Sequence, residues 1–286
     1  MEYLGYYNGR YGDLNEIKAD ILDRGLYFGD GVYDVAYCYN KKVFALDEHV
    51  DRFFSAAELL DLNLGINKKD LYSLIYNLLD KVDGEKLIIY WHATRGSMIR
   101  DHFFPDNIRA NLLITIKPGE LRDINQSIKV CLSDDLRHKM CNIKTLNLLP
   151  NVMALYHAEK NKCQEVIFHR EGRITECAHS NVSILKNGVL ITPPADNCIL
   201  AGTGRAHLMA TARELNIKVK EEKFYKEDLF DADEIILTAA GSLCIDVIEI
   251  SGISVGKKDR DRIISIRKKL ANEFNKYTDA DIEVKQ

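Results

Sequence analysis

No stretch of this chain approaches the roughly eighteen consecutive apolar residues that a membrane-spanning helix needs. The opening MEYLGYYNGR lacks a charged run followed by an apolar one, so no secretory signal is expected. No CxxC pair occurs. Seven cysteines, Cys38, Cys131, Cys141, Cys163, Cys177, Cys198 and Cys244, are odd in number and scattered. That distribution argues against a disulfide framework or a zinc site and for reduced thiols in a cytoplasmic protein. Positive charge is not in excess either: the net charge is -4 and the pI about 6.1. A basic footprint for nucleic acid or an anionic membrane is therefore missing. Ser-His-Asp, P-loop and HExxH signatures are absent, as are internal repeats and low-complexity tracts.

What is present is a globular composition. With 286 residues, 46% hydrophobic and 29% charged, the chain can build one large or two ordinary domains. KPGELRDINQ (117–126), with Pro118-Gly119 as a breaker pair, reads as a link. The expected organisation is a smaller N-terminal domain (1–117), a linker (118–126) and a larger C-terminal domain (127–286). In the first domain Asn8-Gly9 signals a tight hairpin. A strand is expected over Val32 to Tyr39, with Val32, Asp34, Ala36 and Cys38 on one face and Tyr33, Val35, Tyr37 and Tyr39 on the other. Helices follow at 47–64, opened by Asp47 as a cap, and at about 70–82. Arg52 falls off the apolar stripe of the first and reads by default as a solvated charge. Strands are expected at Lys86 to Thr94 and Ala110 to Lys117. In the second domain strands are expected at 128–132, 165–168, 173–175, 181–185, 189–192, 217–219, 233–239 and 245–250. Helices are expected at 151–162, at 202–216 after a glycine-flanked turn, and near the C-terminus. Alternating strands and helices in two parts give an α/β (α+β mixed) protein.

Three places could carry chemistry. Lys144, in CNIKTLNLLP, sits near an element boundary; burial there would disfavour its ammonium form and suit a Schiff-base amine. Arg100 and His102, on the loop RGSMIRDHFFPDN, can grip a carboxylate. GTGRAHLMATARELN, at 202–216, places backbone N–H groups at a helix start, where phosphate binds well. Each has an ordinary alternative: a solvated lysine, surface loop charges, a common glycine turn. Pattern alone leaves an enzyme and an anion-binding module both open.

Taken together, the same segments resemble the pyridoxal-phosphate aminotransferases of fold type IV over essentially the whole chain, and most closely the D-amino acid aminotransferase branch. DRGLYFGDGVYDV, FALDEHVDRF, CNIKTLNLLP, EVIFHREGRITECAHSNVSI and ILAGTGR are similar, in that order, to the family's motifs. The resemblance implies a two-domain enzyme with pyridoxal 5'-phosphate on Lys144, which would also move the α-proton. Glu176 would pair with the protonated pyridine nitrogen. Arg52 would contact the phosphate with backbone groups of Thr203 and Gly204. Tyr33, Arg100 and His102 would hold the substrate carboxylate. The family supplies that loop from a neighbouring subunit, which implies a homodimer. Small amino acids and 2-oxo acids are the expected partners, with no nucleic acid, membrane or metal.

The chain departs from the family pattern in three places. After Thr238 the family usually places hydroxyl residues and a Ser-Glu pair, whereas here the run is AAGSLCID. Ala239, Ala240 and Gly241 bring no side-chain donors, so phosphate contact at Ala240 and Gly241 would be through the backbone alone. One lost charge-assisted bond is worth about 1.5–3 kcal/mol. Asp34 stands for a usual glutamate and Pro150 for a usual glycine. The expected reaction is ping-pong transfer of an amino group from a D-amino acid to a 2-oxo acid such as 2-oxoglutarate. Branched-chain L-amino acid transamination, aminodeoxychorismate lysis, and a cofactor-binding relative without catalysis are the alternatives.

Overall fold

The computed structural model describes residues 1–104 and 107–285. Within them the chain forms two compact units. The first comprises Met1–Glu120 with two later segments, Ile143–Asn147 and Tyr277–Ala280. The second comprises Leu121–Asn142, Leu148–Lys276 and the chain from Asp281 on.

The first unit contains β1 (Leu4–Tyr7), β2 (Arg10–Asp13), α1 (Arg24–Phe28), β3 (Gly31–Tyr39) and β4 (Lys42–Val43). It continues with α2 (Leu46–Leu59), α3 (Lys68–Leu79), β5 (Lys86–Thr94) and β6 (Asn111–Pro118). Its six strands run in the order β2-β1-β6-β5-β3-β4, every pair antiparallel. The β1–β2 turn is Asn8-Gly9, with φ of 48° and 91°, the left-handed values a two-residue hairpin demands. Alternation on β3 buries Val32, Asp34, Ala36 and Cys38 and leaves Tyr33, Val35 and Tyr37 half-exposed. Val50, Phe53 and Ala57 of α2 and Leu71, Ile75 and Leu78 of α3 join Val32, Ala36 and Trp91 in one core.

Three sequence expectations are corrected here. Asp47 does not cap α2: Ala45, in the left-handed conformation, precedes its first residue, and Asp47 lies in the first turn with Glu48. Both carboxylates there oppose the positive end of the helix dipole. The helix also stops at Leu59 rather than 64. Asp61 turns left-handed at φ 49°, and the N–H groups of Asp61 and Leu62 bond back to Glu58 and Ala57, a hydrogen-bonded stop. Third, α1 lies in a stretch for which no helix is expected; Asp23 caps it by accepting from the Gly25 N–H at 2.7 Å.

Both later segments are tied down by hydrogen bonds. Thr145 forms a bridge with Val32, the Tyr33 N–H donates to the Lys144 carbonyl at 3.0 Å, and the Leu146 N–H donates to Gly31 at 3.1 Å. Gly31 must lack a side chain, since a Cβ would lie 2.4 Å from the Ala93 carbonyl oxygen. Asn40 Nδ2 donates to the carbonyls of Thr278 and Asp279, and Tyr277 meets Phe44 edge-on.

The second unit contains β7 (Ser127–Asp134), α4 (Leu149–Lys160), β8 (Glu165–Arg170), β9 (Arg173–Cys177), β10 (Asn181–Lys186) and β11 (Val189–Thr192). After these come α5 (Thr203–Glu214), β12 (Lys218–Glu221), α6 (Lys226–Asp231), β13 (Glu234–Ala239), β14 (Ser242–Ile250), β15 (Ile253–Ser254) and α7 (Arg260–Thr278). The sheet is mixed and nine-stranded, in the order β12-β11-β10-β13-β14-β7-β8-β9, with β15 on β14. Two of its parallel pairs, β7–β8 and β11–β12, are joined through α4 and α5, as parallel neighbours require a crossover. Asn187-Gly188, with φ of 52° and 73°, makes the expected hairpin of β10 and β11. Val130, Ile167, Val182, Ile184, Ile235, Leu237 and Val247 form its core. No helix among the described residues is long and apolar enough to cross a membrane.

Phe53 is fully buried, with its ring 6.2 Å from that of Trp91. Phe53→Ala should destabilise the protein by about 3–5 kcal/mol, because the cavity adds to the lost transfer energy. A thermal or urea midpoint matching the parent would show that this core can collapse around the gap.

Candidate functional site

In the first unit Lys144 lies in a loop whose backbone is clamped to β3, half-buried, with Nζ 4.3 Å from the centroid of the Tyr33 ring. The ammonium therefore sits over an aromatic face. Tyr33 packs against Tyr90 at 5.6 Å, and the Tyr90 hydroxyl lies 3.0 Å from His92 Nδ1. Burial pushes the Tyr90 phenol above its ordinary value and the His92 imidazole below its own. Neither Tyr90 nor His92 stood out in the sequence; their register opposite Val35 and Tyr33 on β5 is what puts them there.

Arg52 is not the solvated charge that its helical position suggested. Its side chain is only 14% exposed, and Nε and Nη2 donate to the two oxygens of Asp34 at 2.9 and 2.7 Å. His49 adds Nδ1 at 2.8 Å to the same carboxylate, which is fully buried. Burial alone would raise the Asp34 carboxyl; the Arg52 charge and the bonds from His49 and Arg52 outweigh it and hold the group well below the usual carboxylate range. For His49, burial wins over the pull of Asp34 and depresses the imidazole, with the charges of Arg52 and Lys144 acting in the same direction. The cluster thus joins Arg52 to the strand residue beside Tyr33.

Arg100 and His102 are both exposed and converge on one ring: the Arg100 guanidinium is 5.0 Å from the Phe28 centroid and the His102 ring 5.3 Å from it. Phe28 ends α1, and sequence reading passed it over. So it did Arg24, a buried residue that donates to Asp30 at 2.8 Å and to the Asp101 carbonyl at 2.7 Å, fixing one side of the loop. Arg95 of the same loop is structural: it pairs with Asp30 and donates to the carbonyls of Leu60 and Asp61. Pro105 and Asp106, at the end of RGSMIRDHFFPDN, lie outside the described residues.

In the second unit Glu176 is buried near the end of β9. Arg137 Nη1 donates to its Oε1; Asn181 Nδ2 and the Leu200 N–H donate to Oε2 at 3.0 and 3.1 Å. Arg137 itself donates two bonds to Asp135, which braces it, and lies 5.0 Å from the Phe168 ring centroid. Three donors, one of them a full positive charge, thus converge on one buried carboxylate. Arg137 carried no sequence signal, since DLRHKM has neither strand nor helix period.

Helix α5 starts at Thr203 with Gly202 as N-cap and no side chain capping it. Arg205 anchors its first turn, donating to Thr192 Oγ1, the Pro193 carbonyl and Glu221. A Cβ on Gly204 would stand 3.2 Å from the Ala239 carbonyl oxygen and 3.3 Å from Thr238 Cβ, so the helix start abuts the end of β13. There the Thr238 hydroxyl is buried with no hydrogen-bond partner. Ala240 and Gly241 form the turn into β14, and the Gly241 carbonyl accepts from the Arg122 N–H at 2.9 Å. Thr203, Gly204 and the altered run after Thr238 are thus neighbours. Unspent helix N–H groups beside an orphaned hydroxyl are donors of the kind that an anion can take. Among the described residues no group of three or more His, Cys, Asp or Glu could hold a metal ion.

Comparison with known proteins agrees with this architecture. A family model, amino-transferase class IV, matches residues 31–250. The chain is 36% identical over 261 residues to a D-alanine aminotransferase of Listeria monocytogenes, covering 90% of each. Against a D-alanine aminotransferase of Staphylococcus haemolyticus it is 34% identical over 278 residues, 96% of this chain and 98% of the other. Among solved structures, the branched-chain aminotransferase of Thermoproteus uzoniensis matches with a TM-score of 0.86 at 23% identity, over 96% of each chain. The branched-chain amino acid aminotransferase of Escherichia coli matches at 0.87 and 23%, over 98% of this chain and 95% of the other. Likeness at that identity concerns the fold. The chain belongs to the class IV amino-transferases and has their fold-type IV architecture.

The Asp34 cluster makes stability depend on pH with a definite sign. Both His49 and Asp34 bind protons less readily folded than unfolded, so the unfolded chain holds more protons and stability falls with acid. The His49 share is present above about pH 6.5 and is lost on descending below it; the Asp34 share fades only below about pH 4. The urea midpoint should therefore drop between about pH 7.5 and 5.5, and His49→Gln should make that drop smaller. His92 and His138, also depressed by burial, would account for what remains. An undiminished drop in the variant would assign the effect to those two.

Proposed function

We propose that this chain is a pyridoxal-phosphate-dependent transaminase that moves the amino group of a D-amino acid to a 2-oxo acid such as 2-oxoglutarate. The observation that carries the reading is its 36% identity, over nine-tenths of both chains, to a protein named D-alanine aminotransferase. The chemistry of the donor sets supports the cofactor: a clamped lysine amine, a buried carboxyl group paired with an arginine, and an uncapped helix start beside an unpartnered hydroxyl.

Each residue then has a task. Lys144 would hold the cofactor covalently and carry the proton taken from the substrate Cα, its backbone clamp to β3 fixing where the amine begins. Glu176, gripped by Arg137 and Asn181, would pair with the protonated pyridine nitrogen. When bound, pyridoxal phosphate supplies the electron sink for the carbanion. The N–H groups of Thr203 and Gly204 and the backbone at Ala240 and Gly241 would meet the phosphate. Arg52 spends Nε and Nη2 on Asp34 and His49, which would leave Nη1 for that phosphate. Tyr33, Arg100 and His102 would bind the substrate carboxylate, so the face of the Cα–H bond offered to Lys144 decides handedness.

A homodimer fits the same reading. Ile99 and Phe103, flanking Arg100 and His102, are 80% and 85% exposed, which suits a loop covered by a second copy. Leu149, Val152, Met153 and Tyr156 form a further exposed apolar stripe on α4. The division into domains at 118–126 is supported by compact units that part between Glu120 and Leu121. Seven free thiols suit a cytoplasmic location.

Mixing the yellow holoenzyme with D-alanine, D-glutamate, L-alanine or L-leucine separately tests the proposal. Bleaching by the D-isomers alone is expected; bleaching by L-leucine would move the chain to the branched-chain activity, and none at all would point to a lyase or a non-catalytic relative. Lys144→Ala should lose the yellow colour and the turnover together. Arg100→Ala should lower kcat/KM for a D-amino acid by roughly 10- to 100-fold, the scale of one charge-assisted bond. Unchanged turnover would remove Arg100 from the carboxylate site.

A further inference from the structure

All seven cysteines are free thiols, but two of them are not apart: Cys131 Sγ and Cys163 Sγ lie 2.7 Å from each other. That is well under an ångström beyond a bonded sulfur–sulfur distance of about 2.05 Å. We propose that Cys131 and Cys163 are a dithiol modification site, closed to a disulfide by a hydroperoxide and reopened by a thiol reductant. The inference is independent of the transaminase reading.

The backbone on both sides is fixed in place for the bond. Cys131 sits in the middle of β7, in register with Val166 of β8. Cys163 lies in the turn that follows α4; its N–H donates to the Ala158 carbonyl at 2.9 Å. The next residue, Gln164, is bound to Lys129 twice, N–H to carbonyl and side-chain oxygen to N–H, each at 2.8 Å. Ala154, Leu155 and Ala158 of the helix share one apolar cluster with both cysteines. Closing the remaining gap moves the two sulfurs together by less than an ångström.

The two thiols differ in access. Cys163 is buried, and burial, with Cys131 beside it, pushes its thiol up to about 12. Cys131 is the more exposed and meets the oxidant first. Its sulfur attacks one oxygen of hydrogen peroxide, the O–O bond breaks, and sulfenic acid and water form. Cys163 sulfur then displaces hydroxide from the Cys131 sulfur; the hydroxide takes the Cys163 proton and leaves as a second water. Two thiols are oxidised by two electrons and one peroxide is reduced. Intracellular disulfides of this kind are usually transient or redox-sensing.

The covalent ring encloses the β7–α4 crossover, and Lys144 lies inside it. Constraining such a loop narrows the unfolded ensemble, so the closed form should melt several degrees higher.

The test treats the holoenzyme with hydrogen peroxide, alkylates the remaining thiols, and maps peptides by mass spectrometry without reduction. A linked Cys131–Cys163 peptide, lighter by two hydrogens than the sum of its parts and released by dithiothreitol, is expected, with a raised Tm. Cys131→Ser and Cys163→Ser should each abolish both the linked peptide and the rise in Tm. The proposal falls if peroxide yields sulfinic acid at Cys131 with no cross-link, or if the linked peptide joins other cysteines. Wild-type mapping decides the matter even if a serine variant folds poorly.

Discussion

Two backbone hydrogen bonds fix the place of Lys144 on β3: Tyr33 N–H to the Lys144 carbonyl and Leu146 N–H to the Gly31 carbonyl. They dock a short segment from beyond residue 140 onto a strand near residue 30, and they do it where Gly31 leaves room. The lysine amine then rests over the Tyr33 ring without a search through rotamers of a mobile loop. A side chain on a flexible connection would lose in ordering entropy what this clamp supplies in advance.

The charged groups around it follow one rule in both units. Asp34 with Arg52 and His49, and Glu176 with Arg137 and Asn181, are carboxylates taken out of water and repaid by several donors each. Such pairs add little to net stability compared with apolar residues of the same volume, yet removing one member is costly. What they secure is position and charge state. In each cluster the donor that matters is itself gripped: Arg137 by Asp135, Arg52 by the strand carboxylate on which it closes.

Legibility in the sequence followed the range of the interactions. Lys86 to Thr94 and Val189 to Thr192 were read with the right bounds because β-branched runs and an Asn-Gly turn are local signals. The end of α2 was misplaced because apolar periodicity continued past Asp61, where the left-handed turn stops the helix. Arg52 looked solvated because its partner Asp34 lies on another element. Arg137 was invisible for the same reason, its partner Glu176 lying on β9, while nearby Asp135 marks no periodic element. The segments around Lys144, Glu176 and Gly204 were singled out by resemblance to known motifs, while spacing alone left each with an ordinary explanation.

The return of Tyr277–Ala280 to the first unit bears on how the protein is made. Asn40 waits for the carbonyls of Thr278 and Asp279, and Phe44 for Tyr277. During synthesis these partners emerge long after Glu120 has left the ribosome. Domains that fold as they emerge do so from the N-terminal end; here the first unit must hold together unfinished, with one later segment and then the other still to come. Its antiparallel sheet, assembled wholly from residues before 119, is the part that can form early, and the segment bearing Lys144 is added to it afterwards.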